Sequence, residues 1–154
     1  MIPISFDILS LLNKKTVATA ESCTGGGIGA ALTSVPGISR IYKGGVVTYT
    51  DEVKANLLNI DQELIGEYGA VSAQVAEAMA DKVRALVSAD IGISVTGLAG
   101  PDGDDRGNPV GTVFVGYADD SVCISKEFHF LGDRESVRLQ AVEQALNLIQ
   151  DMNK

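Results

Sequence analysis

Glu21-Ser22-Cys23-Thr24-Gly25-Gly26 is the segment of this sequence richest in reactive groups. It follows the small and β-branched run TVATA at 16–20, which reads as a buried strand, and it leads into GGIGAALTS, a glycine-softened helix. Ser22 therefore presents its hydroxyl where a strand gives way to a helix. Backbone N–H groups at such a junction can hold a phosphate or the oxyanion of a tetrahedral intermediate. The flanks Glu21 and Cys23 are not those of a GxSxG elbow, and no GK[ST] marks a Walker loop. The same spacing also fits plain capping, with Thr24 as helix N-cap and the glycines allowing close packing. Spacing alone leaves both readings open.

A serine nucleophile needs a base. His129 is the sole histidine and sits in the strand-like FHF, where a structural role is expected, so Lys54 or Tyr49 must serve. Bringing a lysine from about 10.4 to near 7 takes roughly 4–5 kcal/mol of differential destabilisation of its ammonium. Taken alone, Lys54 reads as a solvated helix lysine. Arg134 and Arg138, four apart near a helix start, share one face and suit either an anionic ligand or surface ion pairs with Asp133 and Glu135. Cys23 reads as a small buried hydrophobe before a thiolate, and Asp102, Asp104 and Asp105 as a solvated acidic loop before a cation site, since an EF-hand's closing Glu is missing.

The elements that must position these groups alternate between strand and helix. GGVVTYT at 44–50 and IGISVTG at 91–97 read as further strands, the first followed by a helix capped by Thr50. Ser72 caps a longer helix carrying Val75, Met79, Val83 and Val87 on one face. TVFVGYA and VCISKEFHF form a hairpin about Asp119-Asp120, and Asp133 caps the last helix, with Val142, Ala145, Leu146, Ile149 and Met152 inward. The result is an α/β domain with a mixed, mostly parallel sheet. Ligands in such sheets sit beyond strand carboxyl ends, and Ser22, Tyr49 and Thr96 all fall at such ends. The glycine-rich stretch 97–109 is longer than a connector requires, which marks a functional loop.

One domain accounts for all 154 residues, at 45% hydrophobic and 21% charged. A net charge of −8 argues against nucleic acid as the main partner. No apolar run reaches membrane-spanning length, and the N-terminal MIPISFDILSLL carries Asp7 and lacks a basic leader. Two cysteines 100 positions apart suit a reducing compartment, so a cytoplasmic protein is expected.

Six collinear blocks carry a family resemblance: TVATAESCTGG at 16–26, GGVVTYTDEVK at 44–54, GAVS at 69–72, SVTGLAGPDG at 94–103, NPVGTV at 108–113 and GDRESVR at 132–138. Together they resemble the C-terminal domain of the competence/damage-inducible CinA proteins, the nicotinamide-nucleotide amidase family. That resemblance implies a three-layer α/β/α sandwich, often a homodimer, with no cofactor and no metal. It also implies hydrolysis of the carboxamide of nicotinamide mononucleotide to nicotinate mononucleotide and ammonia. Ser22 would be the nucleophile, activated by Lys54 and Tyr49, with Thr96 assisting at the reacting centre. Thr24, Gly25 and Gly26 would bind the substrate, and Arg138 would engage its phosphate. The loop Asp104-Asp105-Arg106-Gly107-Asn108 departs from the family's usual stretch, being more acidic and lacking its lysine. A nucleotide-binding module that turns nothing over is the alternative, because a fold does not guarantee its chemistry.

Overall fold

The computed structural model describes residues 3–154; Met1 and Ile2 of the apolar N-terminal stretch lie outside the described residues. Five strands, β1 (Val17–Glu21), β2 (Tyr42–Val47), β3 (Ile91–Gly97), β4 (Thr112–Ala118) and β5 (Cys123–His129), form one sheet in the order β2-β1-β3-β4-β5. β1 runs parallel to β2 and to β3, whereas β3–β4 and β4–β5 are antiparallel. The mixed sheet is thus divided evenly between the two senses. β4 turns back on β3 after the long glycine-rich loop, so a second antiparallel pair joins the one supplied by the terminal hairpin.

Helices cover both faces. α1 (Ile8–Leu12), α2 (Gly27–Thr33) and α6 (Arg134–Met152) pack on one side; α3 (Asp51–Leu58), α4 (Gln62–Tyr68) and α5 (Ala73–Leu86) pack on the other. The period of two along β1 divides its side chains between these layers. Val17 joins Ile28, Leu32 and Ile149 in one core, while Ala18 and Ala20 meet Leu58, Val75, Met79 and Val83 in the other. α5 lies close to the sheet because Gly92 and Gly116 stand beneath it. A Cβ at Gly92 would run into the Ala80 carbonyl, and one at Gly116 into that of Ala76. Ser94, between them, donates to the Ala76 carbonyl at 2.6 Å.

Local signals are carried out as read for most elements. Thr50, Ser72 and Asp133 each accept an N–H of their own helix's first turn. The inward face of α6 is buried at Val142, Ala145, Leu146 and Ile149, with Met152 half-buried at its end. Two differences matter. β2 ends at Val47, so Tyr49 lies in the connection to α3, where the chain turns to let Thr50 cap. α4 is an element that the sequence patterns do not mark; it is short, and its start is set by Asp61 accepting from Glu63 N at 2.9 Å. No helix among the described residues is long and apolar enough to cross a membrane.

Candidate active site

Ser22 directly follows β1, held there by its own N–H donating to the Val95 carbonyl of β3 at 3.0 Å. Lys54, one turn into α3, is 1% exposed, and its Nζ lies 3.2 Å from Ser22 Oγ. The same Nζ is 2.9 Å from the Thr48 carbonyl and 3.3 Å from that of Tyr49. Burial of the ammonium pushes the Lys54 pKa down, against a smaller opposing pull from Asp51. Of the two candidate bases, Lys54 therefore reaches Ser22. The Tyr49 side chain is 56% exposed, and its hydroxyl accepts from Arg134 Nη2 at 3.0 Å, while its carbonyl belongs to the lysine's cage.

The turn after Ser22 is built differently from a simple helix cap. Thr24 is not the N-cap of α2; Gly26 is, at φ 101°, a conformation that suits glycine, and it supplies no side-chain bond. The cap comes instead from the strand. Glu21, 2% exposed, accepts from Ile28 N at 2.8 Å and Gly29 N at 3.0 Å, and Thr24 Oγ1 donates to it at 2.7 Å. The N-terminus of α2 is thereby already satisfied by a carboxylate. Gly25 N is also used, donating to the Ser22 carbonyl at 3.1 Å. Among the described residues no acceptor is paired with the N–H groups of Cys23, Thr24 or Gly26, which are the donors left for an anion.

Arg138 braces this turn. Its Nε donates to the Cys23 carbonyl at 3.0 Å and its Nη2 to that of Thr24 at 3.2 Å. It is not among the residues lining the cavity beside Ser22, where the resemblance would set it against a phosphate; Arg134 and Arg106 are. Thr24, Gly25 and Gly26 likewise stand behind the cavity wall. That cavity, about 720 Å³, is lined by Ser22, Tyr49, Lys54 and Thr96, with the 97–106 loop on one side and α3 and α4 on the other. Thr96 Oγ1 donates to the Ala70 carbonyl at 2.8 Å and so ties the end of β3 to the segment entering α5.

The remaining candidates are quiet. Cys23 is buried, and burial pushes its thiol up to about 11, the opposite of an activated nucleophile. Asp104 orders its own loop, accepting from Arg106 N, Asn108 N and Asn108 Nδ2. His129 Nε2 pairs with Glu127 on the exposed face of β5 at 2.6 Å. Sequence reasoning did not reach Glu21 as a helix cap. The signal was available: a carboxylate ending an otherwise uncharged buried strand has to be paired.

The sequence model of the CinA C-terminal domain matches residues 6–153. A CinA-like protein of Geobacter sp. (strain M21) is 47% identical over 147 residues, covering 94% of this chain and 36% of that protein. A CinA-like protein of Endomicrobium trichonymphae is 46% identical over 141 residues, covering 92% and 33%. This chain thus spans about a third of the length of these relatives. Among solved structures, the competence or damage-inducible protein of Enterobacter asburiae superposes with TM-score 0.93 at 32% identity, covering 96% of this chain and 94% of that one. The competence/damage inducible protein CihA of Agrobacterium tumefaciens gives 0.89 at 33% identity, with both chains wholly covered. Sequence and fold agree over nearly every described element, and the chain belongs to the CinA C-terminal domain family.

Proposed function

We propose that this chain is an amidohydrolase that deamidates nicotinamide mononucleotide through an acyl-enzyme on Ser22, with Lys54 as its base. One observation carries the reading: three oxygens surround Lys54 Nζ, and two of them are carbonyls. A neutral amine has two N–H bonds and one lone pair. As an ammonium, Lys54 donates to all three oxygens, and Ser22 Oγ in turn lies 3.4 Å from the Tyr49 carbonyl as a donor. Once the lysine is neutral, the two carbonyls can only accept and take its two N–H bonds, which turns its lone pair to Ser22 Oγ. The same cage serves the ammonium formed when Ser22 gives up its proton, with Ser22 Oγ then as the third acceptor.

In this mechanism Ser22 Oγ attacks the carboxamide carbon and its proton passes to Lys54. The oxyanion is received by the N–H of Cys23, which lines the cavity, in a turn that Arg138 and Glu21 hold from either side. Collapse breaks the C–N bond, and the Lys54 ammonium returns the proton to the departing nitrogen, releasing ammonia. Water then attacks the ester with neutral Lys54 as base, freeing the carboxylate and restoring Ser22. Thr96, its own proton committed to Ala70, has lone pairs to accept from the substrate's NH₂. Ammonia release from nicotinamide mononucleotide by Ser22→Ala tests the assignment. Retention of a rate within tenfold of the parent would remove Ser22 as nucleophile.

A further inference from the structure

The cavity next to Ser22 has an unusual charge arrangement. Five carboxylate residues line it, Asp51, Glu52, Asp102, Asp104 and Asp105, together with two arginines, Arg106 and Arg134. Yet neither guanidinium is in an ion pair. Among the described residues the ion pairs join Lys126 and Lys154 to Asp151 and His129 to Glu127, all elsewhere. Both cavity arginines are instead held on neutral oxygens. Arg134 donates to the Gly100 carbonyl at 2.6 Å and to the Tyr49 hydroxyl. Arg106 donates to the Glu67 carbonyl at 3.0 Å and to that of Gly66.

Arg106 is also seated with care. The two carbonyls belong to the last turn of α4, which has no basic residue of its own, so Arg106 supplies a cation to the negative end of that helix. Its stem lies on Gly69, where a Cβ would come within 2.6 Å of Arg106 Cδ and 2.8 Å of Nε. Asp104 fixes the backbone by accepting from Arg106 N at 3.1 Å. The side chain is therefore oriented before any ligand arrives, at the cost of only two of the N–H donors a guanidinium carries. A carbonyl orients a guanidinium without neutralising it. The Asp104 carboxylate feels the Arg106 charge but forms no ion pair with it, so N–H donors of the cation stay open to an anion. In a chain of net charge −8, with carboxylates on the same wall, two unneutralised guanidinia are what an anionic ligand requires.

We infer that Arg106 is a specificity-determining residue for the anionic end of the substrate, selecting phosphorylated over unphosphorylated carboxamides. This rests on the proposed amidohydrolase reading. Arg134, bonded to the hydroxyl of Tyr49, stands at the reacting end. Arg106, anchored on the last turn of α4 and bonded to none of Ser22, Lys54, Tyr49 or Thr96, is assigned the anionic end. With Arg106 gone, the carboxylates of the loop and of α3 would face a phosphate with Arg134 as the one guanidinium remaining on the cavity wall.

The test is direct binding of nicotinamide mononucleotide and of nicotinamide riboside to the inert Ser22→Ala protein, with and without Arg106→Gln. The first protein should bind the mononucleotide about tenfold more tightly than the riboside, the scale of one charge-assisted contact at an accessible site. Arg106→Gln should erase most of that preference by weakening the mononucleotide alone, and Arg106→Lys should recover only part of it. Equal weakening of both compounds would make Arg106 a mere brace for α4 and overturn the inference. So would an unchanged preference, or binding of neither compound. Turnover by the parent protein is read separately. Phosphate-selective binding without ammonia release would sink the amidohydrolase reading and leave the Arg106 subsite standing.

Discussion

Replacing Lys54 by Met separates chemistry from stability at a single buried position. The side chain is 1% exposed, and Met fills a similar unbranched volume, so packing around α3 is largely kept. What goes is the lone pair 3.2 Å from Ser22 Oγ. A positioned general base contributes about 10²–10⁴ in rate, which is about 3–5 kcal/mol of barrier. Stability moves by less, because two effects oppose. The Thr48 and Tyr49 carbonyls each lose a donor, at about 1–3 kcal/mol where water cannot replace it. Against that, a buried group whose ammonium is disfavoured is removed, worth about 1.4 kcal/mol for each unit by which its pKa is lowered.

The pH dependence supplies the decisive sign. The folded-state pKa of Lys54 lies below its ordinary 10.5. Below the folded value the ammonium's burial cost is present in full, and it is relieved as pH rises towards 10.5, because there the unfolded chain binds more protons than the folded one. The parent should therefore gain stability relative to Lys54→Met as pH is raised through that window. Ammonia release at saturating substrate and thermal unfolding at a series of pH values from 6 to about 10 read the two quantities together. A folded Lys54→Met protein within tenfold of the parent rate would refute the base assignment. A Tm of the parent minus that of the variant that falls or stays flat as pH rises across the window would refute the buried, disfavoured ammonium.

Three further outcomes follow from the same contacts. The rate at low substrate should rise with pH along a limb whose midpoint lies below 10.5, since the base must be neutral, and Arg106→Gln should leave that midpoint in place; a pH–rate profile of both proteins checks this. Arg138→Ala should lower turnover of mononucleotide and riboside by the same factor, because its donors hold the Cys23 and Thr24 carbonyls; a selective rise in KM for the mononucleotide would put it on the phosphate instead. Glu21→Gln should cost about 1–3 kcal/mol in chemical denaturation, since an amide cannot accept at both oxygens as the carboxylate does from Ile28, Gly29 and Thr24.

The contrast between Thr50 and Thr24 shows where sequence reading succeeds and where it stops. Both are threonines placed just before an apparent helix. Thr50 caps as read, because a cap is a contact three residues long, and the acidic Asp51 and Glu52 behind it reinforce the same local choice. Thr24 gives way because a stronger acceptor, the Glu21 carboxylate, already reaches two residues of the first turn of α2 and takes the threonine's own proton as well. Lys54, which taken alone reads as a solvated helix lysine, is 1% exposed because the Thr48 and Tyr49 carbonyls take its Nζ inside the fold. The placement of Ser22 and Thr96, by contrast, is legible for a reason similar to that of Thr50. Strand ends and helix starts can be located from local patterns, and in an α/β sheet those ends converge.

The arginines were visible as cations, but their partners were not. Arg138 meets Cys23 across 115 positions and Arg106 meets Glu67 across 39, contacts that exist only once the sheet order has brought α6 beside β1 and the loop beside α4. Their acceptors are backbone carbonyls, which every residue possesses and no sequence pattern marks. Charge alone leaves Arg134 and Arg138 open to an anionic ligand or to surface ion pairs, and it is the family resemblance that sets Arg138 against a phosphate. Geometry instead commits Arg138 to the nucleophile's turn and leaves the unneutralised guanidinia of Arg106 and Arg134 on the cavity wall. The division follows burial: the half-buried Arg138 holds the backbone carbonyls that follow Ser22, and the two exposed arginines keep N–H donors open on the cavity wall.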